Sequence, residues 1–469
     1  MNGPLVDKTG HWWVDQNRWD QITPANLEAA TPDVAIVVPY FDQPASLQRM
    51  YGALSAAELD PRRHHLVIAD DGSAAPPPAP PPEFSLCCHM VRQDDRGCRP
   101  GAARNLGAAA TDADVFVFLD ADTVPSTITI AQLSRWPAVL PDALAVGTRH
   151  HVDLTGWTAQ DTASWLRGRR APPARRPDPE WLADGYRTTR NLLDADDRSY
   201  RFVISAVMAC HRSLFEDIGG FDADRDEYGG EDWEFAWRAF NNGAVLVHEP
   251  DAVAWHDEPD WAERQRSDDV PVSERCGNAE RDGQALWLAS MIPEPLTRGR
   301  GVRQPWPDTV ITIDSSPTTD GQLVTTLHAL LEAVSDCSLH LPAWASERVR
   351  RHVSHDARID VRGPTCEALR RARHRITVDA AFTASTSALR AILDELGPAG
   401  VGRIEIVDGD DVLATATSTR ALGRARRAPP ELRTEIVAAC FGSSRVAATT
   451  VGVERVPRDV DLERVFGGW

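Results

Sequence analysis

Four acidic segments and one histidine hold the residue types in this chain best suited to chemistry. In VFVFLDADTV (115–124) an apolar run ends in Asp120-Ala121-Asp122. Carboxylates two residues apart at a strand end can point the same way. Two hard oxygen ligands with open positions suit Mg2+ or Mn2+ holding a diphosphate. Asp-Ala-Asp also occurs at 112–114, 194–196 and 222–224, but only the copy at 120–122 directly follows a hydrophobic strand pattern. The plainer reading of the motif is a polar strand terminus.

IADDGS (68–73) ends an earlier strand pattern, where Asp70 or Asp71 could bond a ribose or base; alone it reads equally as an Asp-Gly turn. EYGGEDWEFAWR (227–238) places Glu231 and Asp232 at the start of an amphipathic helix after Gly229-Gly230. Acids there complement the helix dipole. The same position can aim a carboxylate into a cleft as a general base, and an Asp of ordinary pKa is already ionised at neutral pH. AVAWHDEP brings His256 to the end of a β-like run, where a neutral imidazole would serve as a further metal ligand. Asp257 beside it is an alternative.

Elements that could position these residues follow from hydrophobic pattern. VAIVVPY (34–40) and HLVIADDGS (65–73) read as buried parallel strands. Between them PASLQRMYGALSAAEL has helical spacing, with Leu47, Met50, Tyr51 and Leu54 on one stripe. PPPAPPP (76–82) is a stiff exposed loop. PGAARNLGAAAT (100–111) predicts a helix, TITIAQLSRW another, and ALAVGTRH (143–150) a further strand. Strand and helix alternate, which predicts an α/β fold with a parallel sheet. From about 155 to 200 the pattern breaks, and RGRRAPPARRPDPEW predicts a long, partly mobile loop. Its arginines 167, 169, 170, 175 and 176, with Trp165 and Trp181, suggest an acceptor-side flap that meets an anionic acceptor or a donor diphosphate.

Composition narrows the class. The 469 residues allow two or three domains. Asp plus Glu is 69 against 50 Lys plus Arg, a formal charge of −19, which argues against nucleic-acid or anionic-membrane partners. No apolar stretch reaches bilayer-spanning length, and the first twenty residues lack the pattern of a signal peptide. Eight scattered cysteines without a C-x-x-C pair suggest reduced thiols and a cytoplasmic location. Some of the fifteen tryptophans could serve as flat platforms for sugar rings, though packing accounts for most.

Taken in order, VVPYFDQPASLQRM, IADDGS, GAARNLGAAA, FLDADTVPS, IGGFDADRDEYGGEDWEFAWR and the late WH resemble the family 2 glycosyltransferases of the GT-A fold. The Gly-Gly-Phe-Asp…Gly-Gly-Glu-Asp stretch is most similar to the galactosyl- and N-acetylgalactosaminyltransferase branch, and the resemblance covers about 33–260. It implies a Rossmann-like, mostly parallel sheet. It also implies that Pro39, Tyr40, Asp70, Asp71, Arg104, Asn105, Asp120 and Ala121 meet a nucleotide-sugar. Asp120, Asp122 and His256 would hold Mn2+ or Mg2+, with Asp122 the better direct ligand. Asp232 would be the catalytic base, and Glu231 and Trp233 would contact the acceptor. PYFDQP and the Pro/Arg-rich insert depart from the family's usual pattern and bear on substrate identity.

The reading is a metal-dependent inverting glycosyltransferase that moves a hexose or N-acetylhexosamine from a UDP-sugar to the hydroxyl of a carbohydrate or small molecule. A sugar nucleotidyltransferase would want a Gly-rich, basic loop after the first strand, and PYFDQPAS has neither Gly nor a basic residue. A non-catalytic sugar-nucleotide module would not need Asp122, Asp232 and His256 intact.

A catalytic domain is expected over 1–300 and a smaller α/β domain over 301–469, with IPEPLTRGRGVRQPWPD (292–308) as the boundary. WPDTVITIDSSPTTD runs parallel to TPDVAIVVPYFDQPA, and CEALRRARHRITVDAAFTAS to GAARNLGAAATDADVFVFLDADTVPS. The second domain therefore reads as a degenerate copy. Asp379-Ala380-Ala381 stands where the first has Asp-Ala-Asp, and LPAWAS replaces the DDGS region. Such a domain would bind neither metal nor nucleotide and would offer a docking, acceptor-binding or homodimer surface.

Overall fold

The computed structural model describes residues 5–6, 12–227, 229–257, 277–299, 302–314, 318–397 and 400–466. The chain divides into two units: 1–240 with 244–286, and 241–243 with 287–469. The expected boundary at 300–301 falls on residues outside the described set.

The first unit is built on a nine-stranded sheet. Its seven main strands are β1 (Val34–Tyr40), β2 (His64–Asp70), β3 (Cys87–Arg92), β4 (Val115–Leu119), β5 (Ala143–Asp153), β6 (Val207–His211) and β7 (Val245–His256). Their spatial order is 3-2-1-4-6-5-7. β1, β2, β3 and β4 run parallel, β6 is antiparallel to both its neighbours, and β5 and β7 are parallel. β1 and β4 are apolar on both faces because helices cover both sides of a parallel sheet, and every residue of β4 is buried. Pro39 lies in β1 beyond Val37, the last residue paired with β4, where no ladder donor toward β4 is needed. β1 and β4 therefore part at their carboxyl ends, and a crevice opens there.

The 155–200 segment differs from the expected mobile loop. It holds helices α1 (Ala159–Leu166) and α2 (Glu180–Thr188), and a two-residue strand, Ala174–Arg175, that pairs with β5. α1 starts with a capping box between Thr158 and Asp161, which satisfies the first free amides. The Pro/Arg composition masked two short helices whose apolar residues pack locally: Trp165 lies against Trp157 and Trp255.

The second unit carries a seven-stranded sheet. Its strands are β8 (Thr309–Ile313), β9 (Cys337–His340), β10 (Ile359–Asp360), β11 (His374–Val378), β12 (Arg403–Asp408), β13 (Asp411–Ser418) and β14 (Ser443–Ala447). They lie in the order 10-9-8-11-13-12-14, with β13 antiparallel to both neighbours and the other pairs parallel. Its core gathers Ile311, Leu327, Leu339, Ile376, Phe382 and Ile404.

Candidate active site

At the carboxyl ends of β1, β4 and β7 the first unit has a cleft of about 1350 Å³. Its walls include Tyr40, Asp71, Asp122, Arg149, Asp232 and His256. Its volume exceeds the ~300–1,000 Å³ common for one small ligand, leaving room for two reactants side by side.

A turn and one ladder bring residues 120–122 and 256 together. After β4 the chain turns, with the Thr123 amide donating to the Asp120 carbonyl, into a short strand, Thr123–Pro125. That strand pairs antiparallel with the end of β7, so Thr123 faces His256. Asp122 Oδ1 then lies 3.3 Å from His256 Nε2. Burial raises the Asp122 pKa, but the His256 imidazole outweighs it and holds the carboxyl down at about 2. Burial lowers that of His256, and Asp122 lifts it above the ordinary value. One hard oxygen and one imidazole nitrogen face each other, with the His151 ring 5.4 Å from that of His256. That donor set fits a divalent cation whose remaining positions are filled by phosphate oxygens or water. No group of three His, Cys, Asp or Glu converges on a metal position among the described residues.

Asp120 is placed differently from Asp122. Its Oδ1 accepts from Arg104 at 2.6 Å, and Arg104 also reaches Glu231 Oε1 at 3.1 Å. Arg104, 2% exposed, thus holds two acids of the rim together. Burial opposes its charge, yet Asp120 and Glu231 more than restore it and raise its pKa. Asp257, the alternative ligand, is taken up by Arg49 at 2.5 Å and by the Leu154 amide at 2.6 Å.

Helix α3 (Glu231–Asn241) delivers Asp232 to the cleft. Gly229 and Gly230 both have φ near +91°, a left-handed conformation that favours glycine in the preceding turn. The Asp232 carboxylate accepts from the Trp233 amide at 2.8 Å. Its pKa is not the ordinary one expected from sequence. Burial and the charge of Glu231 push it up to about 7, with Asp120 adding to the rise and Arg104 and the Trp233 amide opposing it. A carboxylate tuned there can exchange a proton near neutrality.

Pro39, Tyr40, Asp71, Ala121 and Trp233 also line the cleft. Two expected residues do not. Asp70 spends both oxygens inside the fold, on the Ser73 amide (2.9 Å) and Arg92 (2.8 Å). Asn105 makes two hydrogen bonds to the Phe221 backbone, fixing the Gly-Gly-Phe turn whose Phe221 ring stacks on Phe235 of α3 at 4.3 Å. It positions Asp232 through that packing.

Sequence reasoning named Trp181 in an acceptor-side flap but missed Arg149, Arg201 and the helical stripe on α2 that Trp181 begins. Trp181, Asp184, Gly185 and Thr188 are spaced i, i+3, i+4, i+7 and all line the cleft. That helical period was readable inside the insert.

A cleft with a paired acid and imidazole and a raised-pKa carboxylate lies at the strand ends of an open α/β sheet, where such folds bind ligands. Residues 35–219 match the model of glycosyl transferase family 2, and 193–252 match the N-terminal domain of galactosyltransferase. The first unit carries a family 2 glycosyltransferase domain. Among curated relatives, the hyaluronan synthase of Pasteurella multocida is 26% identical over 189 residues, covering 37% of this chain and 19% of that protein. The chondroitin synthase of Escherichia coli is 26% identical, covering 37% and 27%. The pre-mycofactocin glycosyltransferase of Mycobacterium tuberculosis (strain CDC 1551 / Oshkosh) is 30% identical over 179 residues, covering 35% and 32%. The chain thus spans less than a third of the length of each of these. A mannosyltransferase from Pyrobaculum calidifontis, solved with GDP-Man and Mn2+, aligns at a TM-score of 0.37 and 16% identity over 56% of this chain and 71% of that one. A likeness of that size carries no argument. No described helix is long and apolar enough to cross a membrane.

Proposed function

We propose that the first unit is a metal-dependent, inverting glycosyltransferase that moves a hexose or N-acetylhexosamine from a UDP-sugar to a hydroxyl. The observation that carries this is the placement of Asp232, tuned to about 7, in the same cleft as the Asp122–His256 pair. Asp71 and Tyr40 line the wall assigned to the nucleotide. Asp122 and His256 would hold Mn2+ or Mg2+, which when bound neutralises charge on the departing diphosphate. Arg149 lines the same region and adds a fixed positive charge. Asp232 takes the proton of the acceptor hydroxyl as its oxygen bonds to the anomeric carbon. The bond from that carbon to the diphosphate oxygen breaks, and its electron pair leaves on UDP. Glu231 is held by Arg104 beside the acceptor, and Trp233 follows Asp232 in the wall. Incubation with a panel of UDP-sugars and Mn2+ tests the reading: release of UDP is expected with at least one donor, and none with any donor would overturn it.

We infer that the second unit is a degenerate copy of this fold with no sugar-nucleotide chemistry of its own. What supports this is register as well as order. Val34 faces Val115, five residues before Asp120; Thr309 faces His374, five before Asp379. Leu119 faces Val207, and Val378 faces Ala414, each one residue before the Asp. Thr123 faces His256, and Phe382 faces Arg455, each three residues after it. At the position of the metal-pair histidine the second unit has an arginine, and at that of Asp122 it has Ala381.

A further inference from the structure

α2, inside the insert between β5 and β6, meets the cleft along a single stripe. Trp181 begins that stripe and is 43% exposed, among the larger exposed apolar side chains of the chain. Its ring lies nearly parallel to Phe202, 6.4 Å away at 27°, and edge-on to Trp233 at 6.2 Å and 78°. Trp233 adjoins Asp232 in the chain, so this aromatic wall begins beside the tuned carboxylate.

α2 is fastened down both within that stripe and beside it. Gly185 lets the helix sit so close to Phe202 that a Cβ there would lie 2.2 Å from the ring. Tyr186 is buried and stacks on His248 of β7 at 3.5 Å and 4°. The helix then ends in three successive left-handed residues, Arg190, Asn191 and Leu192, with φ of 52°, 59° and 67°. None is glycine, and a run of this kind is costly for L-residues. It persists because its polar groups are engaged. Asn191 Oδ1 lies 2.9 Å from His248 Nδ1, the Asn17 amide donates to the Leu192 carbonyl at 2.6 Å, and Arg190 pairs with Asp194 at 2.6 Å. Strain is thus retained to hold one helix, and that helix holds a large apolar ring in the open at a cleft mouth.

A flat, fixed, half-exposed indole edged by hydrogen-bonding groups matches one ligand chemistry. A pyranose ring offers an apolar C–H face to stack and hydroxyls around its rim. Asp184, Thr188 and Arg201 line the cleft near the aromatic wall and can meet such hydroxyls. We propose that the α2 stripe is the acceptor subsite, and that the acceptor is the end sugar of a saccharide stacked on Trp181. This rests on the glycosyltransferase reading of the cleft and narrows its acceptor to a pyranoside.

Saturation-transfer NMR on the full chain with UDP and Mn2+ tests it, using cellotetraose, chitotetraose and maltotetraose as probes. Calorimetry with UDP alone runs beside it. The wild type should transfer saturation to the C–H protons of one ring face of at least one probe. Trp181→Ala and Trp181→Leu should each weaken saccharide binding about tenfold, because leucine keeps apolar volume but offers no flat face. UDP affinity should be unchanged in both. Equal transfer in wild type and Trp181→Ala, or no transfer from the wild type to any probe, would overturn the subsite. Failure of UDP to bind the wild type would instead remove the donor reading, while the saccharide arm still reports on Trp181.

Discussion

The two sheets of this chain share strand order, strand direction and register, yet their carboxyl-end rims are chemically unlike. In the first, the buried Arg104 joins Asp120 and Glu231, and Asp232 and the Asp122–His256 pair line the same cleft. In the second, the matching turn keeps an exposed Asp379 without a second carboxylate two residues on, and Arg455 pairs with Asp411 at 2.8 Å. Strand cores are similar in kind: Ile36, Val67 and Phe118 in one, Ile311, Leu339 and Ile376 in the other, all buried. The difference teaches that the core sets the fold and a handful of rim residues sets the chemistry. A rim can lose its paired carboxylate and its histidine without loss of the sheet beneath.

The sharpest way to break this comparison is to empty the first rim. Chelation by EDTA, or Asp122→Ala, should take transfer below detection while circular dichroism stays unchanged. Full activity in EDTA would end the metal assignment. Next in size is Asp232→Asn, which keeps shape and removes the basic lone pair. Turnover should fall about 100- to 10,000-fold, with UDP affinity retained. In the wild type, Asp232 is protonated below about pH 7 and cannot accept a proton, so kcat/KM should fall as pH drops through 7. Burial first, then Glu231, Arg104, the Trp233 amide and Asp120, set that value, and Asp232→Asn should abolish the limb. If UDP affinity collapses while bound donor still turns over, Asp232 is a binding residue.

Arg104→Met tests the buried ion network as structure. Asp120 and Glu231 would lose their shared partner, at a cost on the order of 3–5 kcal/mol, readable in denaturant unfolding of the first unit. An unchanged midpoint would show that the acids relax into solvent. The smallest effect belongs to the second rim. Burial and Asp314 raise the Asp379 pKa, so ionisation disfavours the fold there at neutral pH. Asp379→Asn should raise the melting temperature slightly, by less than ~0.5 kcal/mol of stability, and leave transfer untouched. Loss of transfer in Asp379→Asn would mean that the second rim takes part in catalysis.

Much of this was legible in the sequence because it rests on local pattern. The apolar run before Asp120 marked β4, and the β-like run before His256 marked β7. The second α/β sheet was legible because its strand patterns follow the order of the first. Long-range hydrogen bonds were not legible. Asp70 is consumed by Arg92, 22 positions away, and Asn105 by Phe221, 116 positions away. No local pattern distinguishes such a carboxylate or amide from one that faces a ligand. The tuned pKa of Asp232 was hidden for the same reason, since burial and the nearby charges appear only once helix and sheet are packed. In the insert, composition hid period: proline and arginine drew attention away from the stripe that Trp181 begins.

The three-residue ladder between Thr123–Pro125 and the end of β7 has a kinetic consequence. Asp122 and His256 are far apart along the chain, and only that late pairing brings them side by side. On a ribosome, the sheet from β1 to β4 can assemble while Asp122 still lacks His256 beside it. Long-range pairings of this kind form slowly, because much chain must be ordered before they contribute. Competence for chemistry therefore arrives after most of the first sheet can form. A chain stopped between β4 and residue 256 would keep the wall that holds Tyr40 and Asp71 and lack the Asp122–His256 pair.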